Sequence, residues 1–154
     1  MEQMEPRALA EGPFLSYALL CEKVLQEQDS VVSFIRVVDR IVSTSVGPEA
    51  PGQMPPVPVN LTLALCLKSG TARGRNAIRV RLRAPTGLYA GTDISVPVLF
   101  EGDDRGVSAY LNAAFQATDE GVYWFEVALE DPDVLLTKLP LRVLYQPLAI
   151  GRQP

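Results

Sequence analysis

Ala77-Ile78-Arg79-Val80-Arg81-Leu82-Arg83-Ala84 alternates apolar and cationic residues with a period of two. In a β-strand successive side chains point to opposite faces, so Ile78, Val80 and Leu82 turn to a core while Arg79, Arg81 and Arg83 turn out. A helix would scatter the arginines around its circumference. Val59 to Lys68 (VNLTLALCLK) repeats the pattern, with Val59, Leu61, Leu63, Leu65 and Leu67 on one face. The intervening Ser69-Gly70-Thr71-Ala72-Arg73-Gly74 reads as a loop, and Pro85-Thr86-Gly87 as a turn.

Working outward, the same signal recurs. Ile94 to Glu101 (ISVPVLFE) is a strand whose Pro97 marks an edge or a bulge. Gly102 to Gly106 is a turn and Val107 to Ala117 another strand. In Gly121 to Leu129, Tyr123, Phe125, Val127 and Leu129 face in and Trp124 faces out. After Asp131-Pro132-Asp133 a last strand, Val134 to Tyr145, returns as a hairpin, with Pro140 marking an edge or a break. Upstream, FLSYALLCEKVLQ (Phe14 to Gln26) fits two periods. Leu15, Ala18, Leu19, Glu22 and Leu25 have helical spacing, whereas Tyr17, Leu19 and Cys21 share a strand face. VVSFIRVVDRIV (Val31 to Val42) is dense in β-branched residues, which favours a strand. With Gln28-Asp29-Ser30 as its turn, the region reads as a hairpin. Thr44 to Pro58 holds five prolines and reads as a loop connecting two sheets.

The reading is all-β: a two-sheet antiparallel sandwich of about eight strands. Residues 1–12 form a flexible lead-in, 13–148 a single domain with 44–58 as its proline-rich connection, and 149–154 a tail. At 154 residues and 47 % apolar composition the chain fits one domain with a proper core.

Asp119-Glu120-Gly121-Val122-Tyr123 resembles the tyrosine corner of immunoglobulin-like sandwiches, in which a tyrosine hydroxyl reaches back to the backbone just upstream. The resemblance implies an immunoglobulin-like or C2-like arrangement. Two positions after the tyrosine stands Phe125 where antibody domains have a cysteine, so no inter-sheet disulfide is implied. Two longer stretches, Ser16 to Ile41 and Gly121 to Pro147, resemble an uncharacterised family of small bacterial β-sandwich proteins. Leu20-Cys21-Glu22, Asp39-Arg40 and Pro140-Leu141-Arg142-Val143 carry that resemblance. It implies a fold and no catalytic residues, and it favours the strand reading of Phe14 to Gln26.

Composition narrows the chemistry. The chain has no histidine, which removes the commonest general base and the Ser-His-Asp and Cys-His mechanisms. Cys21 and Cys66 are too few for a disulfide scaffold and read as buried free thiols. No phosphate-binding glycine loop and no Gly-x-Ser-x-Gly elbow occurs. The expectation is a protein that is not an enzyme and uses no cofactor or metal. The start of the chain lacks a basic-then-apolar leader, and no apolar run reaches about 18 residues, so the expected address is cytoplasmic, without membrane contact.

What remains is surface recognition. The net charge is −4, but Pro51 to Thr92 contains no acid and carries Lys68, Arg73, Arg75, Arg79, Arg81 and Arg83. That segment is +6, and a total of −4 leaves −10 on the remainder. Two readings of the arginine ladder compete. Acids on neighbouring strands, Glu126 for one, neutralise it; or it docks an acidic protein surface. Nucleic acid is disfavoured by the absence of interleaved aromatics on this strand. Trp124 is the second candidate, as an interface anchor. The expected function is a protein–protein interaction or structural module, self-associating or serving as an accessory subunit of a larger bacterial assembly. Arg79, Arg81, Arg83 and Trp124 are its partner-binding residues. The alternative is a calcium- or carbohydrate-binding sandwich using the loop carboxylates Asp103-Asp104, Asp119-Glu120 and Glu130-Asp131-x-Asp133.

Overall fold

The computed structural model describes residues 11–130 and 133–148. Among these, all helix and strand structure is β: β1 (Phe14–Gln26), β2 (Val32–Val37), β3 (Arg40–Val46), β4 (Val57–Arg83), β5 (Tyr89–Ala117), β6 (Gly121–Leu129) and β7 (Val134–Leu148). β4 and β5 make a hairpin long enough to serve two layers. Residues 57–68 of β4 pair with the end of β5, and from Thr62 onward also with β1. Residues 76–83 pair with the start of β5, and from Ile78 onward also with β6. Layer one therefore runs β2-β1-β4-β5 and layer two β5-β4-β6-β7-β3. The layers meet face to face: Phe115 of layer one lies 5.0 Å from the Tyr123 ring and 5.9 Å from the Phe125 ring of layer two. Every residue that the alternation turns inward on β4 and β6 is at most 7 % exposed. Each such side chain contributes about 1.5–3 kcal/mol by leaving water.

The strand count is seven because two expected breaks are bends inside continuous strands and one expected strand divides in two. Residues 69–74 and 102–106 carry register shifts and left-handed residues: Gly70, Gly74, Gly102 and Asp103. Buried Ser69 pins the bend by donating to the Arg105 carbonyl at 2.8 Å. Gly70 is required there, since a Cβ would stand 1.9 Å from the Glu11 carbonyl oxygen.

The single strand expected over Val31 to Val42 divides. The Val38 N–H donates to the Leu20 carbonyl in layer one, while the Asp39 carbonyl accepts from Arg142 in layer two. The chain changes layers across that peptide unit. β3 then pairs with β7 in parallel, from Arg40↔Arg142 to Val46↔Leu148. This is the one departure from the antiparallel expectation among the described strand pairs.

The proline-rich connection is shorter than 44–58. Thr44, Ser45 and Val46 are drawn into β3 by β7, and Val57 and Pro58 into β4 by β5, leaving residues 47–56. It does join the two layers, and the Tyr145 hydroxyl tethers it by donating to the Pro51 carbonyl at 2.6 Å. Pro97 lies on the edge strand β5, and Pro140 precedes the start of the β3 pairing at Arg142, both positions where no ladder donor is needed. Residues 1–10, Asp131-Pro132 and 149–154, for which a lead-in, a turn and a tail are expected, lie outside the described residues.

Phe14 to Gln26 is a strand, hairpinned to β2 through a turn in which Ser30 donates to Glu27 and Asp29 accepts the Val31 N–H. β1 is sharply bent. Phe34 lies in register with Val24, yet its ring is 5.2 Å from that of Tyr17, seven residues earlier. A straight strand would separate Tyr17 and Val24 by about 23 Å. The hairpin therefore folds back over the outer face of layer one. Beneath it Cys21 and Ala64 are fully buried and Cys66 is 7 % exposed, although they alternate with the core-facing leucines. Both thiols are free, as expected, and burial pushes that of Cys21 up.

Candidate functional site

The outer face of layer two gathers all four residues singled out in the sequence. Arg79, Arg81 and Arg83 project from the second half of β4, and strand register sets Arg83 directly opposite Trp124 on β6. Trp124 in turn lies opposite Pro140 on β7 and is 37 % exposed. The alternation that buries Tyr123 and Phe125 forces Trp124 out, and pairing of β4 with β6 delivers it beside the ladder.

The ladder is opposed by acids from its own chain. Arg79 makes two hydrogen bonds to Asp93 on β5, at 3.0 and 2.9 Å. Arg83 donates through Nε to Glu126 at 3.0 Å and through Nη1 to the Gly87 carbonyl at 2.7 Å. Tyr89 ties the cluster together. Its hydroxyl accepts from Arg83 and donates to Glu126 at 2.7 Å. Its ring lies under both Arg81 and Arg83, at 4.4 and 4.1 Å from the guanidinium carbons. Across the strands, Asp93, Arg81, Glu126 and Lys138 form a row of alternating sign.

Of the two readings of the ladder, neutralisation by neighbouring acids describes Arg79 and Arg83, which pair with Asp93 and Glu126. The hydrogen bond from Arg79 holds Asp93 below the usual carboxylate range. Glu126 is lowered likewise, first by the hydrogen bond from Arg83 and then by that from Tyr89. Ion pairs at a sheet surface, such as the half-exposed Arg79–Asp93, contribute little to stability. Their consequence is geometric, because paired guanidinium groups hold fixed positions on the face. Arg81 makes no ion pair among the described residues.

Tyr89 and Asp93 were not singled out in the sequence. The tight turn at Pro85-Thr86-Gly87 was the available signal, since a hairpin closed there sets Tyr89 opposite Arg83 and leads on to Asp93 opposite Arg81. The face is shallow: a recess of about 210 Å³ lies between Arg79, Arg81, Tyr89 and Asp93. A second, of about 330 Å³, lies between Arg81, Glu126, Leu135 and Lys138.

The described loop carboxylates are engaged separately. Asp103 lies 3.7 Å from Arg73, Glu120 accepts the Tyr145 N–H at 2.8 Å, and Glu130 accepts from Ser95 at 2.9 Å. Among the described residues no group of three or more possible ligands could hold a metal ion; Asp131 lies outside them. Asp119 serves the corner between β5 and β6. The Tyr123 hydroxyl donates to its carbonyl at 3.0 Å and accepts from its N–H at 3.1 Å. No helix among the described residues is long and apolar enough to cross a membrane.

No family model and no curated protein matches the chain. Among solved structures it is similar to a CARDB domain from Pyrococcus furiosus, crystallised in complex with di-metal ions. The identity is 12 %, the match covers 88 % of this chain and 96 % of that domain, and the TM-score is 0.40.

Proposed function

We propose that the protein is a non-enzymatic protein–protein interaction module of the cytoplasm, working by self-association or as an accessory subunit of a larger bacterial assembly. The outer face of layer two is its contact surface. The observation that carries this reading is the half-exposed Trp124 set directly against the Arg83–Tyr89–Glu126 cluster on an open sheet face. Tryptophan, tyrosine and arginine are the residues that dominate binding energy at protein interfaces. Here the guanidinium groups are positioned before a partner arrives, which lowers the ordering cost of association. The partner that fits offers an apolar contact to Trp124 and a carboxylate to Arg81, so its surface is acidic at one point rather than acidic throughout.

The test compares wild type with an Arg81→Glu/Trp124→Ala variant shown by circular dichroism to be folded. Sedimentation velocity reads self-association, and capture from native lysate reads other partners. The reading predicts a complex in one of the two assays that the variant loses. Identical behaviour of the two proteins in both assays contradicts it.

A further inference from the structure

The fold-back of the β1–β2 hairpin creates a recess that the layer-two surface does not touch. It occupies about 520 Å³ between the hairpin and the outer face of layer one. Small-molecule sites span about 300–1,000 Å³. Three aromatic residues, Tyr17, Phe34 and Tyr110, and three neutral polar ones, Gln26, Ser30 and Ser108, line it together with Val32.

We propose that this recess binds a neutral carbohydrate. None of its seven lining residues carries a charge. A phosphate, a carboxylate or a metal ion would lose water there without gaining a counter-charge, which disfavours all three. A purely aliphatic ligand would cover the Ser108, Ser30 and Gln26 polar groups without satisfying them. A pyranose meets both requirements, since its C–H faces rest on aromatic rings and its hydroxyls exchange hydrogen bonds with hydroxyl and amide groups. Tyr110, 39 % exposed, offers its ring at the mouth. Tyr17 lines the recess beside Tyr110 and Ser108. Burial above all pushes Tyr17 up to about 12, so its hydroxyl stays neutral across the physiological range. The edge-on contact of Phe34 with Tyr17 holds hairpin and sheet at a set distance, so the recess is preformed.

The site is independent of the loop carboxylates and of the layer-two surface, and its test is separate. Amide chemical shifts of the ¹⁵N-labelled protein are followed on titration with neutral gluco-, galacto-, manno- and xylo-oligosaccharides, and with oligogalacturonate as the charged counterpart. The expected result is saturable shifts at Ser30, Val32, Phe34, Ser108 and Tyr110 with at least one neutral sugar. Tyr110→Ala should weaken that binding by roughly tenfold, the change that 1.4 kcal/mol produces. Tyr110→Phe, which keeps the ring, should retain most of it. Thermal melts of both variants establish that they are folded. Absence of saturable shifts with every neutral sugar overturns the proposal. So does binding that Tyr110→Ala leaves unchanged, or tighter binding of the oligogalacturonate.

Discussion

The two outer faces of the sandwich solve the same problem differently. A sheet face turned away from the core must be covered or made polar. Layer one is covered by its own chain: the β1–β2 hairpin bends back, and Cys21, Ala64 and Cys66 disappear beneath it. Layer two is left open and made polar, with Arg79, Arg83 and Lys138 facing Asp93 and Glu126 across the strands. One face has become a second small core enclosing a neutral recess, whereas the other stays a flat mosaic of charge with a tryptophan in it. The difference leaves layer two as the broad face for a protein partner, because contacts that cover a face are unavailable to one and those that decorate it are presented to one.

Placing the same charge on each face sharpens this contrast most. Ala64→Arg puts a cation where no water reaches and should cost about 3 kcal/mol or more. Leu135→Arg, at a residue 51 % exposed beside the layer-two recess, should fall within about 0.5 kcal/mol of wild type. Urea unfolding reads both, and similar losses would break the comparison. Next in size, Phe34→Ala removes the ring that clamps the hairpin to Tyr17 and should cost about 2 kcal/mol. It should also speed labelling of Cys66 by a thiol reagent under native conditions; an unchanged labelling rate would mean that the hairpin is held down elsewhere. Tyr123→Phe tests the corner that the two layers share. It removes the hydroxyl bonded to the Asp119 backbone and should lower stability by about 1 kcal/mol, read by thermal or urea unfolding.

The smallest effect belongs to the charge mosaic and is read by pH. Asp93 and Glu126 titrate lower when folded than when unfolded. Their pairs therefore contribute stability above the ordinary carboxylate range, and that contribution is lost as the pH falls through the folded-state values. Glu126→Gln should melt slightly below wild type at neutral pH, with the gap closing as acid protonates Glu126 in the wild type. A gap that widens in acid would show that Glu126 does not act through its ionised form.

Strand identity and inward face were legible because a period of two needs no knowledge of tertiary structure. Ile78, Val80, Leu82, Tyr123 and Phe125 all lie where the alternation sends them. The bends were not legible. Gly70, Gly74 and Gly102 adopt left-handed angles whether they end a strand or kink one, so a turn and a bend look alike. Nor was the crossing at Val38-Asp39, where β-branched residues stand on both sides and only the hydrogen-bond partners, Leu20 and Arg142, distinguish the layers. The outward course of the ladder could be read, and so could Glu126 as a candidate counter-ion. That Asp93 takes Arg79 while Tyr89 takes Arg83 depends on register, which the Pro85-Thr86-Gly87 turn sets. The recess under the hairpin was beyond reach, since it exists only because β1 bends.

Photo-crosslinking reports which outer face a partner touches. A benzophenone amino acid is placed at Trp124 on layer two, or at Asn112 on the outer face of layer one, and each folded protein is irradiated in native lysate. A contact surface on layer two gives a discrete crosslinked product, to a second copy or to one partner, from position 124 and none from position 112. Crosslinking from position 112 alone, or from neither position, would contradict the assignment of layer two as the contact surface.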